Sequence, residues 1–165
     1  MEMKVVAEYP PNFDLIKTVL LGAGPEHTYC YGDTIYAPDG HEVPPDVTFH
    51  EREHARQQAG EPQAWWMRYL SDPDFRLEQE EEAYGEQYIF ALQAIENAAE
   101  KAPEGQSLAA GKNNLKAQAL FTIAQAFSNG AYALMLSYSE AETRMRHYAK
   151  RHLSERREKM LSQQE

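Results

Sequence analysis

Residues 50–54 read His-Glu-Arg-Glu-His, and this short stretch constrains the chain more than any other. In an α-helix, residues i and i+4 stand on one face, separated by about 40° of rotation, so His50 and His54 can aim their imidazoles at one point. Glu51 follows His50 by about 100° of rotation, close enough to serve a water held there without itself joining the ligands. Two neutral imidazoles are good zinc ligands, and a neighbouring carboxylate is the base that a zinc-activated water needs. His50 and His54 are therefore candidate metal ligands, Zn²⁺ the candidate cofactor and Glu51 the candidate general base. The plain alternative is a solvated helix rich in His and Glu that meets the spacing by accident.

The flanking sequence supports a helix. Pro44 and Pro45 forbid one before Asp46, the helical pattern runs over residues 47–59, and Gly60 with Pro62 ends it. Upstream, residues 4–7 form an apolar run closed by Pro10 and Pro11, which predicts an edge strand. Asn12 is placed to cap a helix carrying Phe13, Ile16, Val19 and Leu20 at helical spacing, with Gly22 as its stop. Two β-prone runs, 28–31 and 34–37, flank Gly32-Asp33 and predict a hairpin.

Downstream, residues 63–70 predict a short helix. Ser71-Asp72-Pro73 reads as a cap that starts a long helix over about residues 74–100. A loop is expected at 102–106, a helix over 114–127 broken at Asn129-Gly130, and a last helix to Leu161 opened by a Ser139/Glu142 capping box. The fold class is then α+β and mostly helical, with a small sheet in the first forty residues. One domain over residues 1–165 is expected, with a core at 1–100 and a C-terminal helical extension at 107–165.

Composition narrows the function classes. Sixteen basic residues stand against twenty-six acidic ones, for a net charge of −10, which leaves no basic excess to displace counterions from a nucleic acid. The single cysteine, Cys30, excludes an intrachain disulfide and the multi-cysteine zinc sites. No apolar run approaches the roughly 18 residues of a membrane span, and the N-terminal residues lack the apolar stretch of a signal peptide. Neither a nucleic acid nor a membrane is an expected partner.

Two histidines need a third ligand to make a tight site. Cys30, His27, His41 and the acidic run Glu80-Glu81-Glu82 are the candidates. On the long helix, Leu77, Tyr84, Tyr88, Ala91 and Ile95 form the apolar stripe; Glu80 and Glu81 both flank it, while Glu78 and Glu82 point away. Periodicity leaves Glu80 and Glu81 equally placed.

H-E-x-x-H at 50–54, followed on the next long helix by Glu80-Glu81-Glu82-Ala83-Tyr84, resembles the gluzincin branch of zinc metallopeptidases, over roughly residues 12–100. The resemblance implies a minimal zincin-like core of helix, hairpin, H-E-x-x-H helix and glutamate helix. It carries the third ligand to Glu80 and implies a peptide or protein substrate. Tyr84 departs from the pattern, standing where many gluzincins have an Asp that supports a ligand histidine. The stretches YGDTIYAPDG and WWMRYLSDPDFRLEQE are similar to small H-E-x-x-H proteins of bacteriophages and prophages. With neither a signal peptide nor a membrane span in the sequence, a cytoplasmic (host-cell interior) or virion-associated location is expected.

Several other residues have two readings. Trp65 and Trp66 are core residues or a wall of the site. Tyr36, Tyr84 and Tyr88 are structural or donate to a reacting oxygen. The strand at 34–37 is a candidate edge for pairing with an extended peptide. Arg76 is a partner for Glu80 or a surface ion pair, Cys30 a small core residue, and His147 and His152 solvent-exposed. Three functions follow: a zinc-dependent hydrolase, a zincin-like accessory or interaction protein with structural zinc or no activity, and a metal-free helical adaptor.

Overall fold

Proline sets the start of three helices. Pro45, Pro62 and Pro73 each occupy the first helical turn, where the missing N–H costs nothing. The computed structural model describes residues 3–101, 108–129 and 136–162. In chain order the elements are β1 (Lys4–Val6), α1 (Phe13–Val19), β2 (Tyr29–Tyr31), β3 (Thr34–Tyr36), α2 (Pro45–Gln58), α3 (Pro62–Ser71), α4 (Pro73–Glu100), α5 (Leu108–Phe127) and α6 (Tyr138–Ser162). The fold is α+β and mostly helical, with one three-stranded sheet.

The hairpin turns at Gly32 (φ +64°), a conformation open to glycine. β2 pairs antiparallel with β3, and β1 pairs parallel with β3 on its other side, giving the order β1-β3-β2. β3 is therefore the central strand, and the expectation that it receives a peptide by edge pairing is overturned. The carbonyl of Cys30 in β2 accepts from Gln58 Nε2 and Trp66 Nε1, both at 3.0 Å, so side chains take up backbone capacity there as well.

Helix boundaries moved where local signals were degenerate. α1 ends at Val19; Leu20 turns into the core while Leu21 is 91% exposed. Asn12 holds the N-cap position, but its side chain makes no cap bond. Asp72 caps α4 as expected, accepting from the Phe75 N–H at 3.0 Å. α5 begins before residue 114, at Leu108. The capping box of α6 is Ser137/Glu140 and not Ser139/Glu142: the Ser137 N–H donates to Glu140 Oε2 at 2.9 Å, and the Glu140 N–H to Ser137 Oγ at 3.3 Å. The loop expected at 102–106 and Gly130 lie outside the described residues.

Two apolar clusters result. One gathers Ile16, Leu20, Tyr29, Trp65, Trp66, Tyr69 and Leu70 between α1, β2 and α3. The other packs Tyr84, Tyr88 and Ile89 of α4 against Leu120, Ile123, Phe127, Met145 and Tyr148 of α5 and α6. α4 belongs to both, and the polar residues of α2 face it between them. No helix among the described residues is long and apolar enough to cross a membrane.

Candidate metal centre

α2 presents His50, Glu51, His54 and Gln58 to the interior, all buried despite their polarity. Burying four such groups on one helix costs free energy unless each finds a partner. His54 Nε2 lies 3.0 Å from His50 Nε2 and 3.3 Å from Glu80 Oε1, and His50 Nε2 lies 3.6 Å from Glu80 Oε2. Ligand atoms held at 2.0–2.2 Å in a tetrahedron stand about 3.3 Å apart, so this triangle has the dimensions of a zinc donor set. Among the described residues, these three are the group whose ligand atoms converge in this way. Glu80 Oε2 is buried without a hydrogen bond, an acceptor that a cation would satisfy.

Two of the three candidate ligands, His54 and Glu80, are held by hydrogen bonds from behind, while His50 Nδ1 is buried without one. His54 Nδ1 bonds Gln57 Oε1 at 2.8 Å; the amide oxygen accepts, so Nδ1 carries a proton and Nε2 is the ring atom turned to the centre. The Gln57 amide donates in turn to the Gln79 carbonyl at 3.0 Å and to Glu82 Oε2 at 3.1 Å, tying α2 to α4 beside Glu80. Tyr69 donates to Glu80 Oε1 at 2.5 Å. The ring of Tyr84 packs edge-on against His50, centroids 4.4 Å apart, on the side where the resemblance expects a supporting Asp. Gln87, also buried, donates to Asp46 Oδ2 at 2.8 Å and acts on His50 from α4.

The charges follow. Burial drives His50 down to about 3, reinforced by His54 and opposed by Glu80. Burial opposes protonation of His54 as well, but attraction and hydrogen bonding from Glu80, with Glu51 and Gln57, outweigh it and raise His54 to about 9. Burial also disfavours charge on Glu80, yet both histidines and Tyr69 hold it below the usual carboxylate range. Glu51 goes the other way: burial lifts it to about 7, with Glu80 adding and His54 subtracting.

Beside the cluster lies a cavity of about 40 Å³, lined by His50, Glu51, His54 and Glu80 on one side and by Leu20, Gly22, Ala23, His27, Thr28, Tyr29, Cys30, Trp65, Trp66 and Tyr69 on the others. It has room for an ion with roughly one or two waters. Both tryptophans are core residues and walls at once; Trp65 packs 5.4 Å from the His54 ring and donates to Gln79 Oε1 at 2.9 Å.

Of the four acidic and histidine residues singled out first, all line this cavity. Glu81 and Glu82 do not join them: Glu81 pairs with Arg144 of α6, and Glu82 with Arg56 at 2.6 Å. Among the other ligand candidates, His27 and Cys30 line the cavity but stand outside the donor triangle, and His41 bonds Thr28 and Asp39. Arg76 does not pair with Glu80; it is buried and donates to the Tyr69 carbonyl at 2.7 Å, closing the end of α3. Tyr36, Tyr84 and Tyr88 do not line the cavity, whereas Tyr29 and Tyr69 do. His147 is exposed, but His152 is half-buried against Tyr148, with ring centroids 4.2 Å apart.

Sequence reasoning passed over Gln57, Gln58, Tyr69 and Gln87. Gln57 and Gln58 follow the His-Glu motif after Ala55 and Arg56, and Gln58 is 2% exposed, accepting from the Gly32 N–H at 2.7 Å. A glutamine pair on the inward face of an otherwise charged helix was the available signal. Comparison with known protein families, curated proteins and solved structures finds no match.

Proposed function

We propose that the chain is a zinc-dependent hydrolase acting on amide bonds, a small gluzincin-like peptidase. The observation that carries this reading is the convergence of His50, His54 and Glu80 on one point, with Glu51 beside them in the same cavity. His50, His54 and Glu80 would hold a zinc ion, which would supply Lewis acidity toward a water and a substrate carbonyl. Glu51, buried beside them in the same cavity, is placed to accept a proton and return it to the leaving amine. Gln57 and Tyr69 keep His54 and Glu80 oriented, and Trp65, Trp66 and Leu20 exclude bulk water.

One observation favours a second reading, a zincin-like accessory or interaction protein whose zinc is structural or whose activity is lost. The cavity of about 40 Å³ admits little more than a carbonyl and its substituents, so an extended peptide must lie across its mouth.

Metal analysis on protein purified without a histidine tag, combined with peptide hydrolysis, separates the readings. About one zinc per chain with hydrolysis that Glu51→Gln abolishes while retaining the metal supports the enzyme. Stoichiometric zinc in an inactive wild-type chain supports the accessory protein. Absence of bound metal after zinc loading overturns both.

A further inference from the structure

Thr28, which lines the same cavity as the donor triangle, begins a hydrogen-bonded chain that the proposed hydrolysis has not used. Thr28, a lining residue, has its Oγ1 3.0 Å from His41 Nε2. His41 Nδ1 bonds Asp39 Oδ1, and the same carboxylate oxygen accepts from the His41 backbone N–H at 3.0 Å. The backbone and ring bonds from His41 hold the Asp39 carboxyl below its ordinary range, so it is an ionised, acceptor-only partner. The ring must then donate from Nδ1, and a neutral imidazole with its proton there offers a lone pair at Nε2. Thr28 Oγ1–H donates to that lone pair. Its proton is thereby committed to the wall, and its oxygen is left as an acceptor.

We propose that Thr28 is the substrate-orienting residue of the cavity, accepting a hydrogen bond from the N–H of an amide-class ligand, with His41 and Asp39 as positioning residues that hold its hydroxyl in the acceptor orientation. The inference rests on the metal-centre reading and deepens it, because it selects amides over esters. A ligand whose carbonyl faces the donor triangle has its N–H on another side, and the Thr28 wall supplies the acceptor. The segment bearing Thr28 is fixed by bonds outside this chain: Tyr29 Oη donates to the Gly24 carbonyl at 2.8 Å, and the Asp39 N–H to the Pro25 carbonyl at 3.4 Å. Removing the Thr28 hydroxyl therefore leaves the wall in place.

The test uses the zinc-loaded full chain and two small probes, acetohydroxamate, which has an N–H, and N-methylacetohydroxamate, which has none. Calorimetric affinities are measured at one fixed pH for all variants. Wild type and Thr28→Ser are expected to prefer the N–H probe, and Thr28→Val to lose about five-fold of that preference, the worth of one neutral hydrogen bond. Comparing the change between variants cancels the bulk of the added methyl. His41→Phe should shift the preference in the same direction, and it decides the matter if Thr28→Val does not fold. A residue that merely stapled the loop would weaken both probes alike. An unchanged preference in Thr28→Val, or in His41→Phe where that variant stands in, overturns the role of Thr28, as does equal binding of both probes by wild type. Failure to load zinc, or to bind either probe, overturns the metal-centre reading and this inference with it.

Discussion

α4 passes through two differently built halves of the molecule. Its first turns bury Arg76 and Glu80 against α2 and α3, in the half that also buries His50, Glu51 and His54. Its later turns bury Tyr84, Tyr88 and Ile89 against α5 and α6, in a cluster of apolar and aromatic residues. The first half bears the cost of desolvating charge, offset by mutual pairing; the second gains from removing apolar surface from water. Between them stands Gly85, where a Cβ would meet the Tyr148 ring at 2.3 Å, so α6 packs directly against the α4 backbone just beyond the site. A cluster of buried charge needs such a neighbour: the helical half holds α4 in place beside the half that desolvates its polar groups.

The largest effect that tests this division is Phe127→Ala, deep in the helical half. Loss of a fully buried ring is expected to cost about 3–5 kcal/mol in chemical denaturation. Zinc affinity of the folded fraction should stay within about two-fold, because Phe127 reaches the site only through the Tyr84 ring, 5.2 Å away, which packs on His50; a large loss would show that the halves are coupled.

Next is Glu80→Ala, expected to weaken zinc by at least about 100-fold in a competition titration, since on the proposed metal-centre reading it removes one of three protein ligands. Glu81→Ala, which breaks a partly exposed pair with Arg144, should change zinc binding less than about three-fold and stability by under about 1 kcal/mol. A larger zinc loss from Glu81→Ala than from Glu80→Ala would refute the ligand assignment.

The effect confined to part of the pH range belongs to Glu51→Gln in metal-free protein. Folding raises the Glu51 carboxyl from 4.5 to about 7. A raised value means stability fully present below about pH 4.5 and lost as pH climbs to about 7. Glu51→Gln removes that loss, so the metal-free variant should gain on wild type between those limits, reaching at most about 3 kcal/mol above pH 7. Equal pH dependence of the two melting temperatures would mean that Glu51 is not desolvated.

The sequence by itself determined what is local. The helix carrying His50, Glu51 and His54 follows from prolines at one end and Gly60 at the other, and the hairpin follows from Gly32-Asp33 between β-prone runs. Such signals are carried by backbone sterics and i, i+4 geometry, which need no distant partner.

Only tertiary structure decided the rest. Ser137/Glu140 and Ser139/Glu142 spell the same capping motif, and the interior places of Ala141, Met145 and Tyr148 go with the first. Glu80 and Glu81 flank the same apolar stripe, one flank meeting α2 and α3, the other α6. Glu80 is the one that meets Tyr69 and both histidines, while Glu81 meets Arg144. Arg76 sits one turn before Glu80, the spacing of an ion pair with a carboxylate on the same helix, but the open carbonyls at the end of α3 claim it. β1 pairs with β3 across an intervening helix and strand, a contact for which no local pattern exists. Periodicity reports which face of an element is buried; it is silent on which neighbour buries it, because that depends on how separate helices and strands meet in space.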